Sequence, residues 1–310
     1  MHVLAESSTI FHDMFSLPAP APVSPSQDGI QELPIVPVSE ESGMLSMFLD
    51  SITLGPTAVS FCSIAQIRDF YCVADKYVSD SAMDIARAAL VARTQTAPFE
   101  VYLTACQLGL GEEARTAARH MLRSPVSELR ETSKKHGVDD SHPALQRLWS
   151  YHEECGMAAI KVSECDYWAV HDLKVFPTFF FDPRIPAPPS VFSTQSRCCS
   201  TTQTGSEISS YYVKSWFLPF LSKLSDLLSV KPSGEDLGFQ EWSGLFKESV
   251  SQAKQCPGCG PHAFDMLRSY SKSALLRVDS LVASVSDLSY PNDDILVIIR
   301  TQVQLEFRET

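Results

Sequence analysis

HVLAESSTIFHDMF, residues 2–15, decides how the chain begins to fold. Leu4, Ser8, Phe11 and Phe15 are spaced four, three and four, which gathers them on one side of a helix. Ser7 and Ser8 offer a break into two short helices, because serine competes for backbone hydrogen bonds inside a helix. Either way, the apolar side needs a partner further along the chain.

Such partners follow. Leu45, Phe48, Leu49 and Ile52 form a helical stripe ended by Gly55-Pro56. Ile64, Ile67, Tyr71, Ala74 and Val78 alternate three and four apart, a continuous stripe. Ser79 is placed to cap the next helix, with Ala82, Ile85, Ala86, Ala89 and Leu90 inward. Pro98 suits a first helical turn and Gly109 a helix end. Residues 112–122 then carry Ala114, Ala117, Ala118, Met121 and Leu122 on one face. Ser141 and Pro143 open another helix with Leu145, Leu148, Trp149, His152 and Cys155 at helical spacing.

Two stretches break this rhythm. Residues 17–31 are rich in Pro and Ser and predict an extended loop, followed by Leu33–Val38, a short edge-strand candidate punctuated by Pro34 and Pro37. Residues 174–210 are Pro-, Ser- and Thr-rich without a sustained period and predict a linker or ordered loop. Helical signals resume at Tyr211–Val230 and Phe239–Lys254. The stretch His262–Leu288 predicts a long helix with Phe264, Leu267, Ala274, Val278, Leu281, Val285 and Leu288 inward and a polar Ser271. The expected organisation is 1–92, a first domain; 93–173, a helical extension; 174–210, a linker; 211–288, a C-terminal helical region ending in a hairpin; and 289–310, a tail.

The 310 residues carry a net charge of −12, with 44% apolar and 20% charged residues, an ordinary balance for a globular chain. Residues 1–67 hold seven acids and no Lys or Arg. That imbalance repels phosphate backbones and argues against nucleic-acid binding there. No apolar run approaches the ~18–20 residues that span a bilayer, which argues against a membrane protein. There is no positive leader before the first apolar residues. An odd set of nine cysteines in apolar contexts, and a single Asn without a glycosylation sequon, point to the cytoplasm or nucleus.

Residues 3–90 resemble a BTB (POZ) domain. The family helix L-A-x-x-S-x-x-F-x-x-M-F is matched by Leu4-Ala5, Ser8, Phe11 and Met14-Phe15. Leu33–Val38 matches a family strand, Met44–Gly55 a glycine-ended helix, and Ala74-Asp75-Lys76-Tyr77 the "A-D-K-Y" segment. The whole chain is similar to fungal BTB-domain proteins in which helices like Phe99–Leu122 follow the domain. The family's opening strands and its first-helix His fall before Met1. The resemblance therefore implies an α+β, predominantly α-helical protein with an N-terminally truncated BTB-like domain. It also implies a non-enzymatic protein–protein interaction role, with self as one possible partner. Leu4, Phe11, Phe15, Ile35, Val36, Leu45 and Phe48 are the expected interaction residues. A narrower implication is a substrate adaptor of a cullin-type ubiquitin ligase, using Met44–Ile52.

Three motifs bear on chemistry. Cys256-Pro257-Gly258-Cys259 followed by His262 presents two thiols and an imidazole with zinc-like spacing. The alternative is a helix-breaking turn whose cysteines pack between helices, favoured by the lack of a fourth ligand nearby; no other cofactor is expected. Gly109-Leu110-Gly111-Glu112-Glu113-Ala114 fits G-x-G-x-x-A. However, a helical segment precedes it, and two glutamates stand where a pyrophosphate would bind, so a helix–glycine–helix turn is expected. His152 and Cys155 share a face with Trp149, as core residues do. Arg115, Arg119, Arg123, Arg130, Lys134 and Lys135 are offset by Glu112, Glu113, Glu128 and Glu131, giving a solvated helix face.

Overall fold

Ser8 divides the opening stretch, and the fold is built outward from that break. In the computed structural model, which describes residues 2–17, 37–164, 180–181, 201–205, 210–234 and 239–285, α1 spans His2–Ser7 and α2 spans Thr9–Ser16. Ser8 is extended (φ −150°, ψ 124°) and its hydroxyl accepts from the Phe11 amide, an N-cap for α2. The Leu33–Val38 strand candidate lies almost wholly outside the described residues; its last residue, Val38, is not in a strand.

The chain divides into two units, one running to His120 and the other covering Met121–Ile295. The first unit continues with α3 (Ser42–Thr53), α4 (Ile64–Lys76), α5 (Asp80–Ala92), α6 (Pro98–Leu108) and α7 (Gly111–Met121). Here α1 and α4 pack on α3, and α5 and α6 pack on α4. The stretch 93–120 thus belongs with the first unit. Phe48, Ile67, Phe70, Ala74, Ala82 and Leu90 form its interior, each at most 1% exposed. Gly109 adopts φ 72°, and the Leu110 amide reaches the Ala105 carbonyl at 2.8 Å, closing α6 in a Schellman turn.

The same closure ends α4 with less suitable chemistry. Ser79 N bonds Ala74 O at 2.9 Å, which leaves Val78 at φ 49° in the left-handed region. Val78 therefore leaves the α4 stripe and is 45% exposed, where a fifth inward residue was expected. Ser79 takes the N-cap position of α5, but its buried hydroxyl makes no hydrogen bond.

The second unit contains α8 (Val126–Lys135), α9 (Pro143–Ala159) and a 3₁₀ turn at Ile160–Ser163. Strands β1 (Phe180–Phe181), β2 (Thr201–Gly205) and β3 (Ser210–Lys214) follow, then α10 (Leu218–Val230), α11 (Phe239–Ala253) and α12 (Ala263–Ser284). The stretch expected as a linker thus contributes to an antiparallel sheet of order β1-β3-β2, with Phe180 and Thr202 both opposite Val213. Thr-Thr-Gln-Thr and Ser-Tyr-Tyr-Val are strand-forming by composition, and β3 displaces the helix expected from Tyr211. α10 starts only at Leu218, after a 3₁₀ turn at Ser215–Phe217.

The C-terminal helices do not stand alone as a hairpin. α10 packs on α9 and α11, and α12 packs on α9 and α11. Phe217 and Phe220 meet Tyr270 edge-on at 5.0 and 5.7 Å, and Phe246 lies 5.6 Å from Phe220. The Tyr270 hydroxyl donates to the Val162 carbonyl, which pins the turn after α9 to α12. Ser271 is buried and returns its hydroxyl to Leu267 O at 2.8 Å, so the polar position is satisfied within its own helix. Phe264, expected inward, is 46% exposed.

Three substitutions test the backbone reading. A left-handed non-glycine residue costs ~1–2 kcal/mol, and glycine's extra unfolded-state entropy returns ~0.4–1 kcal/mol of that. Val78→Gly should therefore stabilise the chain by about 0.5–1 kcal/mol in urea unfolding, despite removing a side chain. A Cβ at Gly234 would collide with the Leu275 carbonyl and the Asp279 carboxylate, whereas at Gly244, inside α11, it would meet nothing within 4 Å. Gly234→Ala should lower stability by ~1–3 kcal/mol and Gly244→Ala should raise it by up to ~1 kcal/mol, read as shifts of the urea midpoint.

Candidate interaction site

An aromatic seam begins at the surface on α2 and ends in the interior of the first unit. Phe15 and Phe11, one turn apart, stack at 6.0 Å. Phe11 lies nearly parallel to Tyr77 at 5.1 Å and faces Phe48 at 6.5 Å. Phe48 continues to Tyr77 at 5.3 Å and Phe70 at 6.4 Å, and Phe70 meets Phe61 edge-on at 5.2 Å. Each such ring pair adds ~0.5–1.5 kcal/mol beyond the area it buries.

Polar contacts fix where the seam begins. Buried Ser8 donates its hydroxyl to the Tyr77 carbonyl at 2.5 Å while capping α2. Tyr77 in turn donates its hydroxyl to Glu40 at 3.0 Å. Burial and the neighbouring Glu40 carboxylate push the Tyr77 phenol up to about 12. Glu40 also pairs with Lys76, whose ammonium lies over the Tyr77 ring at 5.6 Å. Burial works against the Glu40 charge, but bonds from Lys76, its own backbone and Tyr77 outweigh it and hold the carboxyl below its ordinary range.

Of the expected interaction residues, Leu4, Phe11 and Leu45 are half-buried and Phe15 is 42% exposed. Phe48 is 0% exposed and belongs to the core, because it is the ring on which Phe11, Phe70 and Tyr77 converge. Ile35 and Val36 lie outside the described residues. The opening helices join the interior formed by Ile67, Tyr71 and Ala74 through Tyr77 and Phe48. Glu40 and Tyr77 were missed as site residues, although Tyr77 closes the quoted Ala74–Tyr77 segment. Beside the seam, Val3 on α1, Ile10 on α2 and Leu17 just after it are 48, 36 and 71% exposed, so the opening stretch carries apolar side chains outward as well as inward.

Of the other candidates, Cys155, Cys256, Cys259 and His152 are buried. Cys256 and Cys259 are buried in the turn between α11 and α12, where the Cys256 carbonyl accepts from the Cys259 and Gly260 amides at 3.1 and 2.9 Å. His262 is exposed at the start of α12. Among the described residues no three His, Cys, Asp or Glu side chains converge to hold a metal ion. The Gly109–Ala114 motif is the junction of α6 and α7. His152 is buried with its Nε2 3.0 Å from the Ser124 carbonyl, which assigns that nitrogen the proton, and Cys155 is fully buried. Arg115 and Lys134 pair with Glu112 and Glu131 at 2.5 and 3.0 Å, as a solvated face would. No described helix is long and apolar enough to cross a membrane.

No protein family, curated protein or solved structure matches the chain.

His152 supplies a pH test. Burial pulls its imidazole below the ordinary 6.5, the Ser124 carbonyl offsetting part of that. The unfolded chain then takes up the proton first as pH falls, so stability is complete above 6.5 and declines below it. Urea unfolding at pH 7.5 and pH 5.5 should show a larger loss for the natural chain than for His152→Gln. Equal losses would show that this imidazole does not titrate differently on folding.

Proposed function

We propose that the chain is a non-enzymatic protein–protein interaction protein whose first unit works as a BTB-like module and takes a second copy of itself as a partner. The observation that carries this is the seam's surface end. Phe15 is stacked on Phe11 and anchored through Tyr77 to the interior, yet 42% of it remains exposed. Aromatic anchors held rigid at one end lose little freedom on docking, which is why they dominate interface energetics. Ile10 on α2 and Leu17, which follows its last turn, are exposed as well and widen the apolar surface. The Leu4-Ala5, Ser8, Phe11, Met14-Phe15 pattern and the Ala74–Tyr77 segment supply the likeness to BTB modules. In this chain the two meet through the Ser8–Tyr77 bond. The engagement of His152 and Cys155 in packing also favours recognition over catalysis.

Light scattering of the full chain over a rising concentration series tests this. The mass should climb from 34.3 kDa toward twice that value. Ile10→Asp with Phe15→Asp should hold it at the lower figure with an unchanged far-ultraviolet spectrum, since both positions are exposed. A natural chain that stays at the single-copy mass throughout would defeat the self-association reading.

A further inference from the structure

The second unit contains a cleft between α11 and α12 that plays no part in the interaction reading. Its volume is about 430 Å³, and it is lined by Trp242, Ser243, Phe246, Phe264, Arg268, Ser271, Lys272 and Leu275. That volume falls in the ~300–1,000 Å³ range of small-molecule sites, which are largely apolar with a few placed polar groups. The aromatic wall is ordered: Phe246 packs on Trp242 at 5.6 Å and meets Phe264 edge-on at 5.6 Å.

The cleft explains why α12 carries Phe264 and Leu275 outside its buried stripe. Ala263, Leu267, Tyr270, Ala274, Val278 and Val282 are buried in the unit. Phe264, Arg268, Ser271 and Leu275 follow at spacings of four, three and four on the other side, and that side lines the cleft. It accounts for the outward Phe264.

Its charge is unbalanced. Arg268 and Lys272 lie one turn apart, where like charges cost ~0.2–0.5 kcal/mol. Among the described residues neither makes an ion pair or hydrogen bond. Among the described acids, Glu248 is committed to Lys223 at 2.7 Å and Asp279 to the Gly234 amide at 3.0 Å, while Asp265, one turn before Arg268 on α12, makes no ion pair with it. Ser271 gives its proton to Leu267 O. What remains is an aromatic and aliphatic lining that includes two cations and no acid, in a chain of net charge −12.

We infer that this cleft binds a small amphiphilic anion, an aliphatic or aromatic body bearing one carboxylate. The body lies against Trp242, Phe246, Phe264 and Leu275, and the carboxylate is held by Arg268 and Lys272. Calorimetry on the full chain with decanoate below its micelle concentration tests it, with decylammonium as the charge-reversed control and phosphatidylglycerol vesicles as the membrane control. Decanoate should bind saturably and change the fluorescence of Trp242, a change lost in Trp242→Phe while binding persists. Arg268→Gln with Lys272→Gln should weaken decanoate at least tenfold with an unchanged far-ultraviolet spectrum, both side chains being exposed. Decylammonium should bind at least tenfold more weakly. Absence of decanoate binding, equal affinity for decylammonium, an unaffected double variant, or binding to anionic vesicles without saturable decanoate binding would each overturn the inference.

Discussion

The first unit depends on Ser8 being shared between two jobs. Its hydroxyl oxygen accepts from the Phe11 amide and starts α2, while its proton goes to the Tyr77 carbonyl at the end of α4. The bond joins residues 69 positions apart and is buried, so neither partner has water to fall back on. Once it forms, Phe11 is set against Tyr77 and the aromatic seam follows. An alanine at this position would keep the helical pattern yet lose the start of α2 and the tie to α4 together. A hydrophobic side chain would bury more area but leave the Tyr77 carbonyl unsatisfied.

The second unit solves the same problem with a larger ring system. Tyr270 is buried with its hydroxyl donating to Val162, so one side chain fixes both the turn after α9 and the depth of α12. Close backbone approaches supply the rest. Gly156 passes Ser229, where a Cβ would sit 3.0 Å from the carbonyl oxygen, so α9 and α10 meet at a distance only glycine allows without adjustment. Rigid rings and close helix crossings leave the α11–α12 surface free to be shaped by its own side chains.

Elements with strong period were legible in the sequence, and those governed by contacts between distant residues were not. The stripes of α3 to α7 and the helix–glycine–helix turn at Gly109 follow from spacing and from glycine's access to the left-handed region. The break at Ser8 was one of two readings, and spacing alone cannot choose, because what decides is a carbonyl 69 residues away. β2 and β3 were hidden because their stretch is also rich in the residues of loops, and a sheet is held by pairing that no local window contains. Phe48 read as a contact residue for a related reason: periodicity says that a ring faces inward, not whether its neighbours seal it. Val78 gave no signal, since valine continues the α4 stripe and only the closure of the helix turns it away.

Phe264 shows what such a departure can mean. A residue at an inward position of a long helix is usually buried, and burying an aromatic side chain is worth ~1.5–3 kcal/mol. On α12, 22 residues long, the buried positions run from Ala263 to Val282, and Phe264 lies beside that stripe rather than in it. The side chain is turned instead toward Phe246, which packs on Trp242, beside two cations that repel each other and make no ion pair among the described residues. Each feature alone is a small cost that packing elsewhere can absorb. Their coincidence on one face, with a hollow of about 430 Å³ between them, puts the cost where a ligand would remove it.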